Sequence, residues 1–151
     1  VADELKINYV LLRNEGGRLA VVQGNLIRNL KDKRPAGTDP GDVAGVGIAV
    51  EADASVTGNV VENAPRAGIN VGWGKYMRDV SVVGNVVRNA PFGITVSVAN
   101  GAGTAVIAGN LIADAPRGAI VGMDFAQAFT GDLSKEPTRF ANLQISGNRV
   151  R

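Results

Sequence analysis

The stretch Val82-Val83-Gly84-Asn85-Val86-Val87-Arg88-Asn89-Ala90-Pro91-Phe92-Gly93-Ile94-Thr95-Val96 decides how the chain folds. Its apolar residues alternate as in a strand, and the Ala-Pro step stops any helix from running through it. The Gly-Asn pair recurs at Gly24-Asn25, Gly58-Asn59, Gly84-Asn85, Gly109-Asn110 and Gly147-Asn148, at intervals of 34, 26, 25 and 38 residues. Two residues before these glycines stand Val22, Val56, Val82, Ile107 and Ile145; three after them stand Ile27, Val61, Val87, Ile112 and Val150. Five after them come Asn29, Asn63, Asn89 and Asp114. A glycine then opens a further alternation, in Gly47-Ile48-Ala49-Val50, Gly68-Ile69-Asn70-Val71, Gly93-Ile94-Thr95-Val96 and Gly118-Ala119-Ile120-Val121.

A period near 25 residues containing short alternating runs reads as a solenoid. Leucine-rich repeats need a dense leucine frame, whereas valine dominates here with 21 copies. The expected fold is therefore all-β: a single-stranded parallel β-helix of about five to six coils, one domain over residues 1–151. Each residue then lies over its equivalent one rung away, at about 4.8 Å. Gly-Asn makes a tight corner favouring positive φ. Stacked asparagine amides hydrogen-bond along the axis, so Asn25, Asn59, Asn85, Asn110 and Asn148 form one expected ladder, and Asn29, Asn63, Asn89 and Asp114 a second. Parity puts Val82, Ile94 and Val96 inside and Val83, Thr95 and Ser97 outside. Two insertions interrupt the repeats, at about residues 31–45 and 123–140. The first is charged and rich in proline and glycine, as a solvent loop is. The second holds Phe125-Ala126-Gln127-Ala128-Phe129, expected as a short helix or flap whose phenylalanines pack on the solenoid.

Composition narrows the chemistry. The 151 residues include no His and no Cys, and aromatics make up 5%. Thiolate catalysis, disulfides, thiolate metal sites and His-dependent serine triads are excluded. No cofactor or metal site is expected; Asp39 and Asp42 could hold calcium, but Asp-Pro-Gly-Asp also reads as turn chemistry. A net charge of +2 is too small for a nucleic-acid footprint. No apolar run approaches the roughly 18 residues of a membrane helix.

The frame Val-x-Gly-Asn-x-Val-x-Asn-Ala-Pro-x-Gly-Ile-x-Val resembles the right-handed parallel β-helix proteins of the pectate-lyase-like superfamily. More narrowly, Gly68-Ile69-Asn70-Val71-Gly72-Trp73-Gly74 and Arg117-Gly118-Ala119-Ile120-Val121-Gly122-Met123 are similar to an uncharacterised bacterial repeat family. The resemblance covers about residues 19–151. It implies a right-handed coil and export by the twin-arginine route to the periplasm or beyond. It implies an acidic-polysaccharide ligand class but transfers no catalytic motif. The last repeat stops at Gly147-Asn148-Arg149-Val150-Arg151 without a polar cap, so a fragment of a longer solenoid is expected, with self-association through its ends or edges.

Read face by face, the solenoid offers little chemistry. Outward positions after the glycine turn are Ala49 and Glu51, Asn70 and Gly72, Thr95 and Ser97, then Ile120 and Gly122. One carboxylate cannot supply the calcium cluster of a polyuronate lyase or the paired carboxylates of a glycosidase. Arg28, Glu62 and Arg88 stack as an ion-pair strip, with Arg66 and Arg117 following the prolines nearby. The densest cluster is Trp73-Gly74-Lys75-Tyr76-Met77-Arg78-Asp79. Trp73, Lys75, Tyr76 and Arg78 are the expected ligand-binding residues, because aromatic platforms beside cations suit acidic sugars. The competing structural role is that Trp73 fills the interior of a wider coil. Tyr76, Arg78 and Asp124 are the catalytic candidates, an assignment that requires them to converge on one substrate position. The expected function is a noncatalytic scaffold or binding module for acidic polysaccharide or a protein partner. The alternative is a polysaccharide lyase, hydrolase or epimerase acting on uronate-containing glycans.

Overall fold

The computed structural model describes residues 19–32 and 45–151. Strands fall into three stacked sheets, and the chain visits the sheets in the same order each time round. The first sheet holds β1 (Ala20–Gln23), β4 (Ala52–Thr57), β7 (Arg78–Val83), β10 (Ala105–Ala108) and β14 (Leu143–Ser146). The second holds β2 (Leu26–Arg28), β5 (Val60–Glu62), β8 (Val86–Arg88), β11 (Leu111–Ala113) and β15 (Arg149–Val150). The third holds β3 (Val46–Val50), β6 (Ala67–Val71), β9 (Phe92–Ser97), β12 (Ile120–Asp124) and β13 (Gln127–Asp132). Neighbouring strands are parallel throughout, except that β12 and β13 form an antiparallel hairpin. The described residues contain no α-helix, and the architecture is that of a parallel β-solenoid.

The repeat frame explains both the corners and the core. The Gly of every Gly-Asn takes positive φ, from +62° to +67°, so the chain turns without a side-chain clash. The following Asn points inward: Asn59, Asn85 and Asn110 are buried. Each amide Nδ2 donates to the Oδ1 of the next rung, Asn25 to Asn59, Asn59 to Asn85, Asn85 to Asn110 and Asn110 to Asn148, at 2.9–3.0 Å. The same Oδ1 accepts the preceding rung's Asn backbone N–H. At the second corner Asn29, Asn63, Asn89 and Asp114 occupy the left-handed region, at φ from 53° to 59°. Here the ladder is exposed: Asn63 donates to Asn29 at 2.6 Å and Asn89 to Asn63 at 2.7 Å. Between the ladders Val56, Val82 and Ile107 stack inside one sheet, and Val61, Val87 and Ile112 inside the next, all fully buried. Each such side chain contributes roughly 1.5–3 kcal/mol by leaving water.

The glycines that open the third sheet serve a different end. A Cβ at Gly68 would overlap Val87 Cγ1, and one at Gly93 would overlap Ile112 Cγ2. These positions lie where two sheets meet, and only a hydrogen fits.

Register corrects one expectation. Ile120 pairs with Ile94, Val121 with Thr95, Gly122 with Val96 and Met123 with Ser97, one residue out of step with the sequence alignment. Ile120 and Gly122 therefore follow the inward positions, and Val121 and Met123 follow the outer ones. Gly118, at φ 135°, lengthens the corner by one residue, and Ala119 takes the column held by Gly93.

Thr95 and Ser97 face outward by parity, yet both are buried. The hairpin tip explains this, because Phe125 reaches Gly74 and Ala126 reaches Arg66, both on the β6 rung. To do so it must cross the outside of β9. The second insertion is thus a β-hairpin flap rather than a helix. Phe125 packs on the solenoid as expected, whereas Phe129 remains 62% exposed on β13.

Candidate functional site

The aromatic–basic corner is built by a bulge. Between Val71, which pairs with Val50, and Arg78, which pairs with Ala52, six residues stand where the neighbouring rung has only Glu51. Gly72 turns at φ 81°, Trp73 is extended, and Gly74–Tyr76 makes a single 3-10 turn. Met77 then dives back and is fully buried, so it is Met77 that fills the interior. Trp73 stands outside, half-buried, its ring edge-on to Phe125 at 5.6 Å with an interplanar angle of 79°. Lys75 is exposed, with Nζ 5.5 Å from the Tyr76 ring centroid. Ser97 Oγ donates to the Gly74 carbonyl at 2.7 Å and holds the turn in place.

Arg78 is engaged elsewhere. Its Nε donates to Asp53 Oδ1 at 3.1 Å and its Nη2 to Asp53 Oδ2 at 2.7 Å, the fork geometry that guanidinium and carboxylate favour. The hydrogen bonds from Arg78, together with its charge, outweigh the cost of burial and hold the Asp53 carboxyl below its usual range. Asp79 accepts the Thr104 hydroxyl at 2.6 Å. Asp124 lies exposed at the end of β12, and no hydrogen bond or ion pair joins it to Tyr76 or Arg78. The structure therefore groups Trp73, Lys75 and Tyr76, and ties Arg78 to Asp53 instead of Asp124. Asp39 and Asp42 lie outside the described residues.

Two features escaped the sequence reading. Asp53 could have been found by counting back from the aligned Val56 and Val82, which sets Asp53 beside Asp79 and Ala52 beside Arg78. The second feature is a groove of ≈ 300 Å³ on the corner before the third sheet. Its sides come from Pro65-Arg66, Pro91-Phe92 and Arg117, and the hairpin adds Met123, Ala126 and Ala128. Arg117 lies over the Phe92 ring, 4.5 Å from its centroid. Arg66 donates through Nη2 to the Ala126 carbonyl at 3.0 Å.

Of the expected ion-pair strip, Arg28, Glu62 and Arg88 do stack in register, and Arg88 lies 3.8 Å from Glu62. Both side chains are well exposed, so the pair contributes about 0–1 kcal/mol. Glu51, on the rung beside the bulge, has an Oε1 buried without a hydrogen-bond partner among the described residues. Burial pushes its carboxyl up.

Compared with known proteins, the chain matches no family model, no curated protein and no solved structure.

Proposed function

We propose that the chain is a noncatalytic scaffold, a right-handed single-stranded parallel β-helix of about five to six coils within the pectate-lyase-like superfamily. It is exported and binds acidic polysaccharide along its side. The observation that carries this reading is the bulged turn. Trp73, Lys75 and Tyr76 are held outside the solenoid as a platform with a cation, while Arg78 is neutralised by Asp53. A half-buried indole gives a sugar ring a flat apolar face, and the lysine ammonium gives its carboxylate a counter-charge.

Calorimetric titration with oligogalacturonate, against a neutral oligogalactose of equal length, tests the proposal. Saturable binding of the acidic oligomer, weakened about tenfold in Trp73→Ala and Lys75→Gln, is the expected result. Equal heats from the two oligomers would remove it.

One observation favours the second reading, a lyase, hydrolase or epimerase. A carboxyl raised by burial, as in Glu51, suits a general acid. Release of new double bonds or reducing ends from acidic polysaccharides, abolished in Glu51→Gln, would turn the assignment to catalysis.

A further inference from the structure

The second sheet turns an aliphatic column toward solvent. Ile27, Val61, Val87 and Ile112 take the inward position, so their strand neighbours Leu26, Val60, Val86 and Leu111 point outward. Strand pairing sets these four over one another on successive rungs. Leu26 is 63% and Val60 37% exposed, while Val86 and Leu111 are half-buried. Together they make one apolar ridge, the kind of surface at which proteins meet. Two residues further along each strand stands a column of Arg28, Glu62, Arg88 and Ala113, in the order plus, minus, plus, neutral. The corner beyond it carries Asn29, Asn63, Asn89 and Asp114.

This face complements a reversed copy of itself. A two-fold axis along the strands, midway between β5 and β8, sets the β2 rung against the β11 rung and β5 against β8. Leu26 then meets the second copy's Leu111, and Val60 meets its Val86. In the charged column Glu62 opposes the second copy's Arg88, Arg88 its Glu62, and Arg28 its Ala113, so no like charges face each other. An axis through the β5 or the β8 rung would set Glu62 on Glu62 or Arg88 on Arg88. An axis between β8 and β11 would set Arg149, the next residue of the outward column, on Val60. The corner agrees with the first choice. Asn29 Nδ2 and the Asp114 carboxylate make no hydrogen bond among the described residues, and that axis brings donor and acceptor to opposite sides of one contact.

We infer that the outer face of the second sheet pairs with a second copy of this chain, antiparallel and two-fold, about the Leu26-Val60-Val86-Leu111 column. Five residues by four rungs give a footprint of roughly 17 Å by roughly 19 Å. That is about 300 Å² a side against the roughly 800 Å² of a standard stable interface, so the dimer is weak and forms at high protein concentration. The pairing does not depend on the glycan proposal, because the bulge carrying Trp73 joins the third sheet to the first and leaves the second sheet alone.

The experiment reads sedimentation and backbone amide shifts together, from about 10 μM to about 1 mM protein. Expected are an average mass rising toward that of a dimer and concentration-dependent shifts at Leu26, Val60, Val86 and Leu111. Glu62→Arg and Arg88→Glu each weaken self-association about tenfold or more, since each sets like charges across the axis. Mixed in equal amounts, the two variants associate with each other, and the double variant E62R/R88E self-associates again. Amide shifts that match wild type away from the substituted residues show that each variant is folded. A monomeric mass with unchanging shifts up to about 1 mM overturns the pairing without recourse to any variant. Association that persists in both single variants, or a mixture that stays monomeric, overturns this face and axis. A mass that climbs past the dimer overturns the closed two-fold arrangement.

Discussion

The Arg78 guanidinium closes on the Asp53 carboxylate through two hydrogen bonds, across one rung of the solenoid. Because Arg78 holds the folded-state pKa of Asp53 below its ordinary value, the pair stabilises the fold above the unfolded pKa of about 3.9. That stability is lost as pH falls through the depressed folded value. Asp53→Asn should be slightly less stable than wild type near neutral pH in urea melts. The difference should shrink below about pH 5 and vanish once pH has fallen past the lowered folded value. Added salt should narrow it at neutral pH, since the pair is partly solvated.

The two asparagine ladders should respond differently to substitution. Asn85 Oδ1 serves two donors of Asn59, and Asn85 Nδ2 serves Val56 and Asn110, all in the buried corner. Asn85→Ala strands these groups and should cost about 2–4 kcal/mol in chemical denaturation. Asn63 belongs to the exposed ladder and holds a φ of 58°. Asn63→Ala should cost only about 1 kcal/mol, mostly as backbone strain, and Asn63→Gly should be nearly neutral.

Gly68→Ala and Gly84→Ala separate crowding from conformation. At Gly68 a methyl meets Val87 and the Gly93 carbonyl, so overpacking of about 1–3 kcal/mol is expected. At Gly84 no atom lies within 4 Å, but φ is +66°, and strain alone should cost about 1–2 kcal/mol. Adding Val87→Ala should compensate part of the Gly68→Ala loss and none of the Gly84→Ala loss. A double-mutant cycle with no coupling at Gly68 would show that the sheets can part there without cost.

Asp132 anchors the hairpin. Burial works against its charge, but the N–H groups of Ala119, Ser134 and Ile120 and the Ser134 hydroxyl outweigh that and hold its carboxyl below the usual range. Its contribution is therefore present above about pH 4 and fades as pH falls through the lowered value. Asp132→Ala should cost about 1–3 kcal/mol, with hydrogen exchange rising first at the Ala119 and Ile120 amides. Unchanged exchange at those two amides would contradict the anchor.

Periodic features were legible in the sequence because many rungs repeat the same physical requirement. The inward valines, the Gly-Asn corners and both asparagine columns follow from one frame. Aperiodic features were not. Gly118 looked like the column glycine, but it is an extra corner residue, and Ala119 takes the column; the alignment therefore slipped by one at Ile120. The partner of Arg78 depended on how many residues bulge between Val71 and Arg78, a count visible only once the rungs are registered. The corner of Trp73, Lys75 and Tyr76 was readable as a composition anomaly, but its contact with Phe125 joins segments some 50 residues apart. Arg66 and Arg117 were noted as charges, while Phe92 beneath Arg117 passed as one more apolar residue.

The buried asparagine column has a direction. Along the column each Oδ1 accepts from the asparagine of the rung before it, and each backbone N–H and amide Nδ2 donates to the Oδ1 of the rung after it, while Nδ2 also donates back to a carbonyl of the preceding rung. A rung copied in tandem would therefore arrive with acceptor and donors already matched on both sides, whatever its neighbours are. Duplication of one 25-residue unit leaves no orphaned amide, so array length can change in whole steps during evolution or in engineering. Variation is then left to the chain between rungs, as in the 38-residue interval, whose extra length carries the β12–β13 hairpin.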